Sequence, residues 1–283
     1  MTATILTCID GSVYSASVAD HAAWAARRLG ASVQLLKVLG RRDASSADRS
    51  GRIVAGARRQ LLEQLATLDA ERAKLLREEA RLELEEVAAH LARAGVEDVT
   101  TLLRHGDLLE TMQVIEETAD LTVIGKRGEA ADFAKLHLGS NLERILRAAQ
   151  RPVLVASRAF KPITRCVVAF DGGTTVQRAI DTMSRSPLFR DLPVLLVMAA
   201  EETAERRRKI EAAAAQLAAG GLSVDSRIVA GPPDSVIPEA LTPEGGDILM
   251  MGAYGHSRLR TLVIGSTTAE MIRAARVPIL VYR

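Results

Sequence analysis

Short runs of consecutive apolar residues alternate along the chain with longer stretches whose apolar positions recur every three or four residues. Residues 4–9, 32–39, 99–103, 121–124 and 152–156 read as five buried strands, and 165–170, 193–199, 223–229, 248–251 and 278–282 as five more. Between the first two strands, residues 15–29 set Val18, Ala22, Ala25 and Leu29 on one stripe, with Trp24 beside it, and Gly30 supplies the stop. Strands separated by helices at this spacing predict βαβ units on parallel sheets. The fold class is therefore α/β, as two tandem doubly wound domains, each a five-stranded parallel sheet flanked by helices.

The two halves carry the same punctuation. Gly125-Lys-Arg-Gly128, ten residues, then Gly139-Ser140 in the first half answers Gly252-Ala-Tyr-Gly255, nine residues, then Gly265-Ser266 in the second. Both run on into Arg-Ala-Ala-x-x-Pro and an apolar strand, at a near-constant offset of 126 or 127 residues. The chain reads as two copies of one unit, residues 1–158 and 163–283, and the short join carrying Lys161-Pro162 predicts halves that pack closely. One region breaks the correspondence. Asp10 to Gly125 covers 115 residues and Asp171 to Gly252 only 81, with the surplus between the second and third strands. Residues 52–94 hold no proline and no glycine after Gly56. One helix across them would be about 60 Å long, longer than its domain, which predicts two helical pieces or a projecting arm. Such a segment serves as a solvated cover over the sheet or as a partner surface.

Composition narrows the function classes. Apolar residues make up 48% and aromatics 3%, so the cores are built from Leu, Val, Ile and Ala. Thirty-seven Lys and Arg against 35 Asp and Glu leave no strong field to gather nucleic acid or an anionic membrane. Cys8 and Cys166 fall in buried strands at non-equivalent places, as reduced core thiols would. No apolar run approaches the roughly 20 residues of a membrane helix. The start from Met1 into a strand lacks a secretory pattern, and the expectation is a soluble cytoplasmic protein.

The candidate chemistry lies at the carboxyl ends of the strands, where open parallel sheets bind ligands. In the second half, Asp171 ends the first strand after Ala169 and Phe170, and Met198 closes the second. Gly252 and Gly255 leave the fourth strand, and Gly265, Ser266 and Thr267 open the last helix. Glycines let the backbone approach a ligand, a helix amino terminus presents free N–H donors to phosphate, and a strand-end carboxylate accepts from a ribose hydroxyl or an adenine amine. The first half offers a second, degenerate set: Asp10, Val38, Gly125, Gly128, Gly139, Ser140 and Asn141. Its spacer mixes Glu129 and Asp132 with Lys126, Arg127 and Lys135, whereas the second spacer holds His256, Arg258 and Arg260 without an acid. Phosphate charge therefore favours the second copy. His21, His90 and His105 read as surface or packing residues without metal-ligand spacing, and Met250 and Met251 as strand core.

On these residues the chain resembles the universal stress protein family in its tandem form, over nearly all of both halves. The family's nucleotide motif is Gly, two residues, Gly, nine residues, Gly and Ser or Thr. Gly252, Gly255, Gly265 and Ser266 satisfy it, and Gly125, Gly128, Gly139 and Ser140 do so apart from a spacer of ten. The family's base-contacting Asp maps to Asp171 and Asp10, and its second-strand valine to Val38 and Met198. The resemblance implies strand order 3-2-1-4-5, ATP as ligand with or without Mg2+, pairing through the fifth strands, which a tandem chain can make internally, and a role in stress adaptation with an unspecified protein partner or as a homodimer. Without a Walker lysine or a nucleophile elbow, a binding and signalling module is the leading reading. A slow ATPase or adenylating enzyme and a nucleotide-free scaffold are the alternatives.

Overall fold

The computed structural model describes residues 3–40, 55–126, 140–242, 245–253 and 266–283. The first half contains β1 (Thr4–Cys8), α1 (Ser15–Leu29), β2 (Ser32–Leu39), α2 (Ala55–Arg93), β3 (Val99–His105), α3 (Leu108–Ile115), β4 (Leu121–Gly125), α4 (Ser140–Ala148) and β5 (Val153–Ala156). The second contains β6 (Arg165–Ala169), α5 (Thr174–Met183), β7 (Val194–Ala199), α6 (Ala204–Ala219), β8 (Val224–Val229), α7 (Pro233–Ala240), β9 (Asp247–Gly252), α8 (Ser266–Ala274) and β10 (Ile279–Tyr282).

The ten strands form a single sheet in the order β3-β2-β1-β4-β5-β10-β9-β6-β7-β8. Each half runs 3-2-1-4-5 with parallel neighbours, and the halves meet where β5 and β10 pair antiparallel, Leu154 opposite Leu280. Lys126 Nζ reaches the Ala275 carbonyl at 2.7 Å across this seam, and Arg283 reaches that of Ala149 at 3.4 Å. The expected pairing of fifth strands is thus made within one chain.

Both faces of the sheet are covered, which is why its central strands are almost wholly apolar. One layer packs α1, the carboxyl end of α2, α5 and α6, through Val18, Leu91, Ile180 and Leu217, and it runs unbroken past Leu154 and Leu280. The other packs α3, α4, α7 and α8, through Met112, Ile145, Val236 and Ile272. Trp24, Met250 and Met251 are core residues, and both cysteines are free and buried. Burial pushes the Cys8 thiol up to about 12, with Asp10 adding to the rise. The repeat extends to helix pairing: His90 Nε2 and Asp20 Oδ1 lie 2.6 Å apart, and Gln216 Nε2 donates to Asp181 Oδ1 over the same distance.

Residues 55–93 form one helix of 39 residues, about 58 Å by its rise, so of the two forms expected the arm is observed. Ala80, Leu84, Val87 and Leu91 anchor its last third. Val96 N donates to the Leu91 carbonyl as Leu222 N does to that of Leu217, so these helix ends correspond, and α6 matches only the anchored part of α2. The remainder extends beyond it.

Gly220, at the end of α6, shows how closely the layers approach. A Cβ there would stand 2.3 Å from the Ser184 carbonyl oxygen at the end of α5. Backbone cannot rotate away as a side chain can, so Gly220→Ala is expected to lower stability by about 2 kcal/mol. A urea unfolding midpoint unchanged by the substitution would show that the two helix ends slide apart freely.

Candidate functional site

Asp10 and Asp171 occupy the same turn. Asp10 Oδ1 accepts from Ser12 N at 3.0 Å and Asp171 Oδ1 from Gly173 N at 2.8 Å, and the intervening Gly11 and Gly172 have φ of +79° and +72°. An Asp followed by a residue with positive φ folds the chain back at the strand end and holds the carboxylate at the sheet edge.

The register of the second strands assigns the neighbouring positions. Ile9 N donates to the Leu36 carbonyl and Phe170 N to that of Val197, so the place of Val38 in the first copy belongs to Ala199, and that of Lys37 to Met198. Val38 and Ala199 pack on the layer that holds α4 and α8, as does Ala169. Phe170 and Met198 are buried in the opposite layer. The matching of Met198 with Val38 is therefore corrected to Ala199. The side chains of Phe170 and Met198 thus lie in the layer on the face of the sheet opposite α8. The signal was present in the sequence, because the interval from Asp10 to Val38 equals that from Asp171 to Ala199.

Gly252 closes β9, paired with Tyr282, and α8 starts at Ser266. The fully embedded Thr268, in the first turn of α8, donates to the Ala253 carbonyl at 3.3 Å, with that of Gly252 at 3.5 Å. This hydroxyl fixes the amino end of α8 against the carboxyl end of β9, the strand that neighbours β6, whose end carries Asp171. Thr268 escaped the sequence reading although three hydroxyl residues in a row, 266 to 268, announce a helix start. The first copy has Leu142 at this place, buried and apolar. Gly125 closes β4 and Ser140 opens α4, with Asn141 exposed. Gly128, Gly139, Gly255, Gly265 and the charged spacer residues apart from Lys126 lie outside the described residues.

The strand-end turns also differ in the side chain that covers them. Glu83 of α2 and Lys209 of α6 stand the same number of residues before their matching helix ends. A Cβ on Gly11 would meet the Glu83 carboxylate at 2.6 Å, whereas one on Gly172 would meet the Lys209 stem at 3.5 Å. Glu83 is ion-paired with Lys37, and Lys209 with Glu205. A carboxylate thus stands over the first copy's turn and the aliphatic stem of a lysine over the second's.

A cavity of about 520 Å3 opens at the seam, lined among others by Tyr14, Lys126, Arg158, Lys161, Arg273 and Asp247. It touches neither Asp10 nor Asp171. His21 is buried against Phe160, ring centroids 5.0 Å apart, His90 holds Asp20, and His105 is exposed. Among the described residues no helix is long and apolar enough to cross a membrane.

The model of the universal stress protein family matches residues 1–157 and 185–283. A universal stress protein of Synechocystis sp. is 34% identical over 284 residues, covering 99% of each chain. Among solved structures, a universal stress protein from Archaeoglobus fulgidus superposes with a TM-score of 0.67 at 21% identity, over 98% of this chain and 95% of that one. A putative universal stress protein from Pseudomonas aeruginosa gives 0.58 at 19%, over 99% and 92%. The chain belongs to the universal stress protein family.

Proposed function

We propose that this chain is an adenine-nucleotide-binding signalling module that takes ATP in its second copy, between Asp171 and the amino end of α8, and whose occupancy biases a surface shown to a protein partner. The observation that carries this reading is the Thr268 clamp, which sets the amino end of α8 against β9, the neighbour of the strand whose end carries Asp171. Asp171 accepts from the base or ribose. The amides of residues 266 and 267 receive phosphate oxygens, Gly252, Gly255 and Gly265 admit the phosphates to the backbone, and Mg2+ where present offsets their charge. The first copy, with Leu142 for Thr268 and Glu83 for Lys209, is the weaker site.

Titration calorimetry with ATP tests the proposal. Binding in the micromolar range corresponds to about −8 kcal/mol, a magnitude within reach of several backbone donors and a stacked base. Gly265→Val puts a branched side chain in the phosphate approach and is expected to weaken binding at least ~10-fold, about 1.4 kcal/mol, with an unchanged melting temperature. Thr268→Val, which keeps shape but removes the clamp, is expected to weaken it by less. Equal affinity in a folded Gly265→Val variant would refute the placement.

A further inference from the structure

The corner where α8 runs into β10 carries charge that neither the sheet nor the nucleotide site uses. The seam cavity of about 520 Å3 is ringed by five cations, Lys126, Arg158, Lys161, Arg273 and Arg276, and among the described residues its one acid is Asp247. Arg165, a guanidinium outside the ring, already holds that carboxylate at 2.9 Å. Lys126 Nζ is fixed at the Ala275 carbonyl, itself on the cavity wall, at 2.7 Å. Lys161 Nζ stands over Gly245, 3.3 Å from where a Cβ would lie. Cations gathered about one concavity repel each other and focus a positive field into it. An anion in the cavity relieves that repulsion.

The first copy shows the same corner closed by its own acids. There Arg147-Ala-Ala-Gln-Arg-Pro152 corresponds to Arg273-Ala-Ala-Arg-Val-Pro278. Glu116, only 5% exposed, accepts through Oε1 from Gln150 N at 2.9 Å and from Arg151 N at 2.8 Å. Arg147 is paired with Glu143 at 2.9 Å. This loop therefore holds an anionic oxygen on two successive main-chain N–H groups. Neither acid has a counterpart in the second copy. Ala269 takes the place of Glu143. Glu116 falls on Leu241 when counted from the end of α7, or on Pro243 when counted back from Asp247; Glu244 beyond it lies outside the described residues. Gln150 is matched by Arg276, so the second copy lacks two carboxylates here and carries one more guanidinium.

We infer that the seam cavity is a second anion site, which takes a small molecule bearing two or more phosphate groups. Arg158 and Arg276 each suit a phosphate through paired N–H donors, and Lys126 and Lys161 add point charges. The main-chain N–H groups of residues 276 and 277 correspond to the two that hold Glu116. The number of cations calls for more than one phosphate, and the volume is that of a small-molecule site. Because the cavity touches neither Asp171 nor the amino end of α8, the inference stands apart from the ATP reading.

Titration calorimetry with sodium tripolyphosphate at constant ionic strength tests it, in the Gly265→Val chain so that the phosphate approach of α8 is blocked. Saturable binding is expected there, and adding Arg158→Gln/Arg276→Gln should weaken it at least ~10-fold. Both arginines are exposed, and glutamine is the first copy's residue at the place of Arg276, so the thermal midpoint without tripolyphosphate should not change. Tripolyphosphate should raise the midpoint of Gly265→Val by mass action and leave that of the triple variant where it is. Inorganic orthophosphate, which engages fewer of the cations, should bind more weakly. No saturable heat in Gly265→Val, an affinity unchanged by Arg158→Gln/Arg276→Gln, or orthophosphate bound as tightly as tripolyphosphate would overturn the inference.

Discussion

Truncating Phe189 to alanine is expected to destabilise the chain by about 4 kcal/mol. The ring is fully buried, in the short turn Pro187–Phe189 between α5 and β7, and belongs to the apolar layer shared by both halves. Arg28 of α1 also reaches this turn, donating to the carbonyls of Leu188 at 2.6 Å and of Arg190. Phe189 therefore fills space where the first copy's helix meets the second copy's loop. The Arg28 bonds hold the loop in place, so the loop cannot collapse into the void, and the cost falls in the upper part of the range for aromatic truncation. Urea unfolding followed by circular dichroism checks the value. A loss below about 1.5 kcal/mol would show that the loop relaxes despite Arg28. Because the core layer crosses the seam, the variant should lose both halves in one transition.

The local elements were legible because their signals are local. The bounds of α1 and β2 follow from Gly30, whose φ of +60° ends the helix, and from an apolar run between turns. Strands read from Pro152, Pro193 and Pro278 begin one residue later, since proline brings no N–H to a ladder. β3 runs on to His105, because Arg104 and His105 pair through main chain with Val38 and Leu39 while their side chains stay in solvent. Apolar periodicity does not register such an edge strand. The strand-end Asp was equally readable, since Asp10 and Asp171 recur at matching places and fold into the same turn. The pairing of Glu83 with Lys37, the seating of Thr268 and the register that puts Ala199 for Met198 depend on contacts between distant segments. No window of sequence contains both partners, although comparing intervals between the two copies recovers the last of them.

Replacing Arg165 with leucine is expected to cost about 3 kcal/mol at neutral pH. Asp247 is 1% exposed at the start of β9, and Arg165 Nε and an Arg165 terminal nitrogen each donate to it at 2.9 Å. The same guanidinium reaches the Ala240 carbonyl at 2.9 Å and Thr242 Oγ1 at 3.1 Å, and Thr242 N donates to Asp247 as well. The network fastens the first turn of β6 to β9 and to the end of α7, at the far ends of the strands that carry Asp171 and Gly252. In the first copy the matching Asp120 accepts a main-chain bond from Thr4 N at 2.9 Å, and Thr4 stands where the second copy has Arg165, so this guanidinium anchor belongs to the second copy. Burial raises the Asp247 carboxyl, but the Arg165 and Thr242 bonds outweigh it and hold the group below its ordinary value. A depressed acid contributes stability that is complete above the usual carboxylate range and is lost as pH falls through the lower, folded value. The wild-type anchor therefore persists until pH drops below about 4. In Arg165→Leu burial is opposed only by the Thr242 bonds, Asp247 takes up a proton more readily, and the deficit should shrink as the medium is acidified. Adding Asp247→Asn to Arg165→Leu should recover part of the loss at pH 7, because a neutral amide is cheaper to bury than an unpaired carboxylate. Urea midpoints at pH 7 and pH 4.5 for the three chains decide it: a deficit in Arg165→Leu that is equal at both pH values would mean that packing, not the buried charge, is what Arg165 provides.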